Sequence, residues 1–349
     1  MDGRAQRPRI ADVAREAGVS KTAVSFAFNS PDRLAAGTAE RIREVALQLG
    51  YSPHPVARML SQRQTLTLGV LTPQALSVIF SNPFFGAFSE GVALAAEEHG
   101  YGLHFISPLR GSLVHALARA TVDGIVAVGL PGGHPEVEEI RRAGVPLVLV
   151  DSVALREHGS VEIDDVGGAK EAGAYVGGLG HRNVLVLGVE PPAPSAMPSE
   201  VTVRRLRGYR AGLATVGVSI PDEQVWTGPA TIDGGLHLAR SAWEAGLRPT
   251  AILAMSDAMA IGAMRAVRDL GQHIPADVSV IGFDDIDLAV HVDPPLTTIH
   301  QPIRRKGEEA VQVLLNAIQG RGGTRAEHRR LKTRLVIRAS AGPVAMLGL

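Results

Sequence analysis

The sequence has no cysteine among its 349 residues. Disulfides, thiolate metal sites and cysteine nucleophiles are therefore excluded. Long apolar runs are missing too, and none reaches the roughly 18 residues that a membrane helix requires. The opening residues, Met-Asp-Gly-Arg-Ala-Gln-Arg-Pro-Arg, carry charges with no apolar stretch behind them. No secretory signal is expected, and a cytoplasmic location is the simplest reading. Net charge is absent as well: 35 Lys/Arg balance 35 Asp/Glu, which argues against general affinity for nucleic acid. No phosphate-binding P-loop, Gly-x-Ser-x-Gly or His-Glu-x-x-His occurs, and the 12 histidines show no metal-ligand spacing. The glycine-rich run at 174–180 closes a helix rather than joining a strand to a helix start, which is the wrong place for a dinucleotide. No catalytic residue, metal or cofactor is expected, and the chain does not read as an enzyme.

What is present is an ordinary folded composition, 45% hydrophobic and 20% charged, in a chain long enough for two or three domains. The charge is unevenly placed. Residues 1–63 hold 10 Lys/Arg against 6 Asp/Glu, so a basic head precedes a slightly acidic body. That distribution suits a small nucleic-acid-binding unit joined to a domain with other work.

The head reads as three helices. Ile10, Val13, Ala14 and Ala17 make one apolar stripe at helical spacing. Gly18 breaks the helix and Ser20 is a good N-cap for a second, running from about Lys21 to Asn29 with Ala23, Val24 and Ala27 inward. Two short helices with small residues at their contact and a glycine in the turn make a helix-turn-helix pattern. Lys21, Thr22 and Phe26 then face outward near the start of the second helix, the end that enters a DNA major groove in such motifs. A third helix is expected from Thr38 as N-cap to Gly50, with Ile42, Val45, Ala46 and Leu49 buried. Residues 51–61 read either as a plain linker or as a short helix with Pro55 in its first turn, too short to persist alone in water.

From Thr65 the texture changes. Short apolar strands are expected at 66–71, 102–107, 124–129, 146–150, 184–187, 251–254 and 279–282. Helices are expected at 83–99, 113–120, 135–143, 167–179, 205–215, 234–245, 258–269 and 304–319. Such alternation means parallel sheets covered on both faces, here in two lobes.

Over essentially its full length the chain resembles the LacI/GalR family of transcriptional regulators. The stretches that carry the resemblance are Ile-Ala-Asp-Val-Ala-Arg-Glu-Ala-Gly-Val-Ser (10–20), Tyr-Ser-Pro-His-Pro-Val-Ala-Arg-Met-Leu (51–60) and Asn-Pro-Phe-Phe (82–85). Further along come Leu-Gly-His-Arg (179–182), Arg-Leu-Arg-Gly-Tyr (205–209), Ser-Asp-Ala-Met-Ala-Ile-Gly (256–262), Val-Ile-Gly-Phe-Asp-Asp (280–285) and Pro-Pro-Leu-Thr-Thr-Ile (294–299). Their order and spacing together are specific.

The resemblance implies an all-α helix-turn-helix head at 1–50, a hinge helix and linker at 51–64, and an α/β core at 65–340 like the two-lobed periplasmic binding proteins. Lobe one would comprise about 65–162 and 292–322, lobe two about 163–291 and 323–340, with crossings near Ile163, His291 and Gly323 and a tail at 341–349. It implies a homodimer, without membrane association, that reads near-palindromic operator DNA and whose affinity is shifted by a small molecule in the interlobe cleft. Repression and a sugar effector are the leading expectations. Activation, a non-sugar effector, and a solute-binding protein without DNA function are the alternatives.

Residue by residue, Lys21 and Thr22 match base-reading positions. Phe26 stands where some relatives place a polar reader, so it can only pack on a thymine methyl or on the protein. Ser20, Ser25, Asn29 and Thr38 can bond phosphates or serve as caps and turns. Leu60 matches the leucine that wedges between base steps in the minor groove, and Ala57 is small enough for a helix lying there. His54 and Pro55 depart from the common Asn-x pair. In the cleft, Asp151 and Asp284 end two strands, Arg205 matches a ligand-binding arginine, and Phe84 and Phe85 would supply an apolar wall, Phe84 otherwise lying in the core. Asp257 either faces the ligand or caps the next helix, and Asp285 either faces it or holds a turn. Ser256 stands where many relatives carry Asn. Ala230 replaces an aromatic for which Trp226 is the available substitute, and the segment 107–121 is short, cutting down the second helix of lobe one.

Overall fold

The computed structural model describes residues 8–52, 64–108, 112–152, 155–190, 199–320 and 326–344. The chain divides into two compact units, 1–65 and 66–349.

The head contains α1 (Ile10–Glu16), α2 (Lys21–Asn29) and α3 (Ala36–Gln48). Gly18 adopts φ +63 and Gly50 φ +67, left-handed conformations that only glycine takes without strain. In both places the next residue reaches back to satisfy a helix-end carbonyl, Val19 N–H to Ala14 O at 2.9 Å and Tyr51 N–H to Ala46 O at 2.8 Å. Ser20 caps α2, its hydroxyl accepting from Ala23 N–H at 3.1 Å. Val13, Ala14, Ala17, Val24, Ala27, Ala39, Ile42 and Ala46 form the buried centre. These are small side chains, so the helices approach closely but little apolar area is buried, and the unit is of marginal stability by itself. Three expectations are corrected. Helix α3 begins two residues before Thr38 and is capped by the Ala35 backbone. Val45 is only half-buried. Leu49 is exposed.

The second unit alternates strands and helices. In chain order come β1 (Thr67–Leu71), α4 (Leu76–Ser81), α5 (Pro83–Glu98), β2 (Gly102–Ile106), α6 (Leu113–Leu117), β3 (Gly124–Val128), α7 (Pro135–Arg142), β4 (Leu147–Val150) and β5 (Gly159–Ile163). They are followed by α8 (Asp165–Gly178), β6 (Val184–Val189), α9 (Glu200–Ala214), β7 (Val225–Gly228), α10 (Ile232–Glu244), β8 (Ala251–Ala254), α11 (Asp257–Asp269) and β9 (Ser279–Asp284). The last elements are β10 (Thr297–His300), α12 (Ile303–Ile318), β11 (His328–Leu331) and β12 (Arg334–Val336). The strands form two six-stranded sheets, β11-β5-β4-β3-β1-β2 and β12-β10-β9-β8-β6-β7. All pairings are parallel except β10 with β12.

Alternation along the strands explains the layers. In lobe one, Val126, Val128, Val148 and Val150 pack with Phe88 and Val92 of α5 and Val311 and Leu314 of α12. Their neighbours Ile125, Ala127, Leu147 and Leu149 face α6 and α7. In lobe two, Val184 and Val186 meet α8 and α9 while Leu185 and Leu187 meet α10 and α11. Helices α5 and α12 pack backbone to backbone: a Cβ on Gly91 would stand 1.9 Å from the Arg304 carbonyl oxygen.

The lobe crossings differ from expectation in two places. β5 ends at Ile163 and α8 opens lobe two. The return, however, comes after β10, which pairs with β9 in the second sheet, so the chain stays in lobe two through His300 and crosses at Gln301 and Pro302. The third crossing falls between β11 of the first sheet and β12 of the second, ten residues beyond Gly323. The cause is strand β10, Thr-Thr-Ile-His, whose polar sequence hides its burial. Thr297 and Thr298 are fully buried because their polar groups are bonded: Thr298 Oγ1 donates to Asp257 Oδ1 at 2.5 Å, and Thr297 Oγ1 accepts from Arg338 N–H at 2.9 Å. The start of the tail belongs to lobe two. The Gly342 carbonyl accepts from Ser279 Oγ at 3.1 Å and lies 3.0 Å from Nε2 of the buried His181, while Val344 N–H bonds Leu179 O at 3.0 Å. Among the described residues no helix is long and apolar enough to cross a membrane.

Candidate functional site

In the head, Lys21 and Thr22 are exposed on the first turn of α2, as an outward-reading end requires. Phe26, one turn on, is half-buried beneath the Arg33 guanidinium, 5.3 Å from the ring centre. Ser25 and Asn29 are joined, Asn29 Nδ2 donating to Ser25 Oγ at 3.2 Å. Ser20 is occupied as the α2 cap, and Thr38 is half-buried on α3. His54, Ala57 and Leu60 lie outside the described residues.

In the second unit a cavity of about 140 Å³ opens between the C-terminal ends of the two sheets, where ligands of parallel α/β proteins bind. Phe84, Phe85, Asp151, Arg205, Ser256 and Asp284 all line it. Phe84 and Phe85 meet edge to face at 5.3 Å, and Phe84 also stacks on Phe88, so it serves wall and core together. Thr72, Gln74, Asn82 and Glu190 line it as well and were missed from the sequence. Thr72 and Glu190 each directly follow a strand, a position that would have flagged them.

Asp257 does not reach the cavity. It is fully buried. One carboxylate oxygen accepts from Ile286 N–H at 2.9 Å and the other from the Thr298 hydroxyl. Nor does it cap α11, because Ser256 does, accepting from Met259 N–H at 3.2 Å. Asp257 instead ties the start of α11 to the segments around β9 and β10. Asp285 holds its turn at φ 62 through His300 and Arg338. Trp226 donates to Glu223 O at 2.9 Å and is not among the cavity residues, so it does not substitute for an aromatic at Ala230, which is. The short 107–121 segment leaves α6 only five residues long.

The floor of the cavity is ionic. The Arg205 Nε donates to Asp165 Oδ1 at 2.9 Å, another nitrogen bonds the Met255 carbonyl, and the guanidinium stacks 3.6 Å over Phe283. Burial alone would lower its pKa, but Asp165 and Asp284 outweigh that and raise it. Asp284 adopts φ 137 and lies 3.8 Å from Arg205 Nη1. Burial pushes its carboxyl up to about 6, against the opposing pull of Arg205, Gln301 and Lys306. Burial, helped by the charge of Asp284, pushes Asp257 up to about 7. Asp151, at φ 58, receives both its partners from one buried cation: Lys306 Nζ lies 2.8 and 2.9 Å from its two oxygens. Among the described residues no cluster of side chains could hold a metal ion.

A helix-turn-helix head followed by a two-lobed α/β core with a polar cleft defines the class of ligand-sensing DNA-binding regulators. The comparisons agree. Residues 9–54 match the model described as bacterial regulatory proteins, lacI family, and residues 174–341 match that of a periplasmic binding protein-like domain. The regulator CelR of Thermobifida fusca is 31% identical, covering 97% of this chain and 99% of that protein. The repressor CytR of Escherichia coli K12 is 30% identical over 94% of this chain and 95% of its own length. Among solved structures, the lac repressor dimer bound to operator and an anti-inducer superposes with a TM-score of 0.81 at 25% identity, covering 97% of this chain and 100% of that one. The CelR–cellobiose complex gives 0.71 at 29% identity, over 96% and 100%. The chain belongs to the LacI family of bacterial transcriptional regulators. It is a DNA-binding regulator and not an enzyme, and the reading as a solute-binding protein without DNA function is set aside by its head.

Proposed function

We propose that this protein is a cytoplasmic repressor that binds a near-palindromic operator as a homodimer and responds to a neutral, single-ring sugar held in the interlobe cleft. Lys21 and Thr22 read bases, Phe26 packs on a thymine methyl, and Ser20, Ser25, Asn29 and Thr38 stand near the phosphates. Leu60 wedges the minor groove, and Ala57 and His54 are assigned to DNA contact as well. Phe84, Phe85, Asp151, Arg205, Ser256 and Asp284 contact the effector.

The observation that carries the effector class is the polarity of the cleft. Among the described lining residues the titratable groups are Asp151, Asp284, Glu190 and Arg205. The guanidinium is committed to Asp165 and the Met255 carbonyl, while Asp151 and Asp284, held by Lys306 and Gln301, keep further acceptor lone pairs. Carboxylates accept hydroxyl donors and repel phosphate esters. Phe84 and Phe85 offer the apolar face a sugar ring stacks on. A volume of about 140 Å³ lies well below the roughly 300–1,000 Å³ of pockets for larger ligands. Sugar binding recurs among relatives: CelR was solved with the disaccharide cellobiose, and a LacI family regulator from Enterococcus faecium, 26% identical, with ribose, a single ring.

The test is a thermal-shift panel of neutral pentoses and hexoses beside their phosphate esters, each hit then assayed for its effect on binding to duplex from the protein's own upstream region. A neutral monosaccharide should raise the melting temperature and shift DNA affinity. Binding confined to phosphorylated sugars refutes the reading of the cleft.

A further inference from the structure

Lys306 falls on the apolar face of α12, in line with Ile303, Ala310 and Val313, and it is 0% exposed, an expensive place for a charge without partners. Its ammonium lies 5.1 Å from the centre of the Phe84 ring. Besides the two Asp151 oxygens, it donates to Gln301 Oε1 at 2.6 Å. Gln301 stands at the crossing between the lobes, and its Nε2 donates to Asp284 Oδ1 at 2.5 Å. The chain of contacts then continues through lobe two, from Asp284 to Arg205 and from Arg205 to Asp165. Arg204 closes it: its Nε donates to Asp165 Oδ2 at 3.0 Å, and its Nη2 returns to lobe one at the Asp151 carbonyl, 3.1 Å away.

These contacts make a closed ring beneath the cleft. The ring passes between the lobes twice, at Gln301 and at Arg204. Three of its members, Asp151, Arg205 and Asp284, also form the cavity wall. Two of those three, Asp151 and Asp284, hold positive φ, an expensive backbone state for a non-glycine residue that persists only where the surroundings enforce it. Buried ion pairs add little net stability, because desolvation cancels most of the attraction. What such a ring supplies is a single geometry.

We propose that Lys306 is a positioning residue: by clamping Asp151 to Gln301 it locks the two lobes at one preset angle and makes the effector-facing carboxylates part of the lock. A ligand that draws on Asp151 or Asp284 therefore acts on the lobe angle directly. The proposal concerns the unliganded protein and does not depend on which effector binds.

The absence of cysteine allows a clean test on the full chain. Arg142→Cys in lobe one and Glu244→Cys in lobe two, both on exposed positions, carry spin labels, and the distance distribution between them is measured by double electron–electron resonance. With the labelled chain diluted in excess unlabelled protein, so that one subunit of each homodimer carries the spins, the otherwise unaltered protein should give one narrow distribution. In Lys306→Met it should widen roughly twofold or more, as several lobe angles become populated. That variant also leaves Asp151 as an unpaired buried charge and should melt at lower temperature, so Lys306→Met with Asp151→Asn is the control. The double variant should recover melting temperature while its distribution stays wide, because the clamp is still missing. An unchanged distribution in Lys306→Met overturns the proposal. So does a double variant whose distribution narrows as its melting temperature recovers, since Lys306 would then act on stability alone. Should Lys306→Met not fold, the double variant by itself decides between a wide and a narrow distribution.

Discussion

Asp257→Asn is predicted to stabilise the protein at alkaline pH and to flatten its stability–pH profile. The carboxyl is pushed up to about 7 in the folded chain, first by burial and then by the charge of Asp284, from a usual 3.8. An acid whose folded pKa is raised binds its proton more tightly folded than unfolded. The native state then holds more protons than the unfolded one between those two values, so stability falls as pH rises from about 4 to about 7 and stays low above. A gap of about three pH units, at about 1.4 kcal/mol each, sets a ceiling of about 4 kcal/mol. The pair Asp257–Asp284 titrates together, so this loss is spread over a broad range. Asparagine reproduces the protonated form: its amide can donate to Thr298 Oγ1, and its carbonyl can accept from Ile286 N–H, the two partners Asp257 now uses. Urea unfolding of parent and variant at pH 5 and pH 8 is the assay. The variant should gain about 2–4 kcal/mol at pH 8, and its gain at pH 5, partway through the window, should be smaller by about 2–3 kcal/mol. Equal stabilities at both pH values, or a loss at pH 8, would refute the reasoning.

Three further outcomes are expected. Lys21→Ala should cost about 1–3 kcal/mol at a single operator base pair; the same loss on every sequence would make it a phosphate contact. Leu60→Ala should weaken operator binding while sedimentation still reports a dimer, and undiminished affinity would remove the wedge. Gly91→Ala should destabilise the core by about 1–3 kcal/mol in thermal unfolding, because the added methyl meets the Arg304 carbonyl at 1.9 Å; this outweighs the helix propensity gained, and a more stable variant would contradict the packing of α5 on α12.

The legible parts were those written in local signals. Gly18, Ser20 and Gly50 mark where helices of the head turn, and α2 runs from Lys21 to Asn29 as its pattern predicts. α3 escaped by two residues because a backbone cap at Ala35 leaves no side-chain signature. Apolar strands such as 251–254 declared themselves, whereas β10 and β11 did not: one buries threonines through long-range bonds, and the other, His-Arg-Arg-Leu, pairs at a sheet edge with no apolar run. The crossing points slipped with them. In the cleft, Asp151 and Asp284 were readable because parallel topology brings strand ends together. Asp257 was misjudged because its partners, Ile286 and Thr298, are distant in sequence. Lys306 was missed although its spacing from Ile303, Ala310 and Val313 puts it on the apolar face of α12; what the sequence does not give is its partners, since Asp151 is distant along the chain.

The central claim is that occupancy of the cleft governs the grip of the head on DNA. Its most direct test is fluorescence anisotropy on labelled operator and random duplexes, with and without the neutral sugar that raises the melting temperature, for the parent and for Arg205→Ala. The account predicts that the parent prefers operator, that sugar moves its Kd by roughly tenfold or more, on the scale of ordinary allosteric coupling, and that Arg205→Ala keeps the preference but loses the response. Equal affinity for operator and random duplex, or an operator Kd that saturating sugar leaves unmoved, would contradict it.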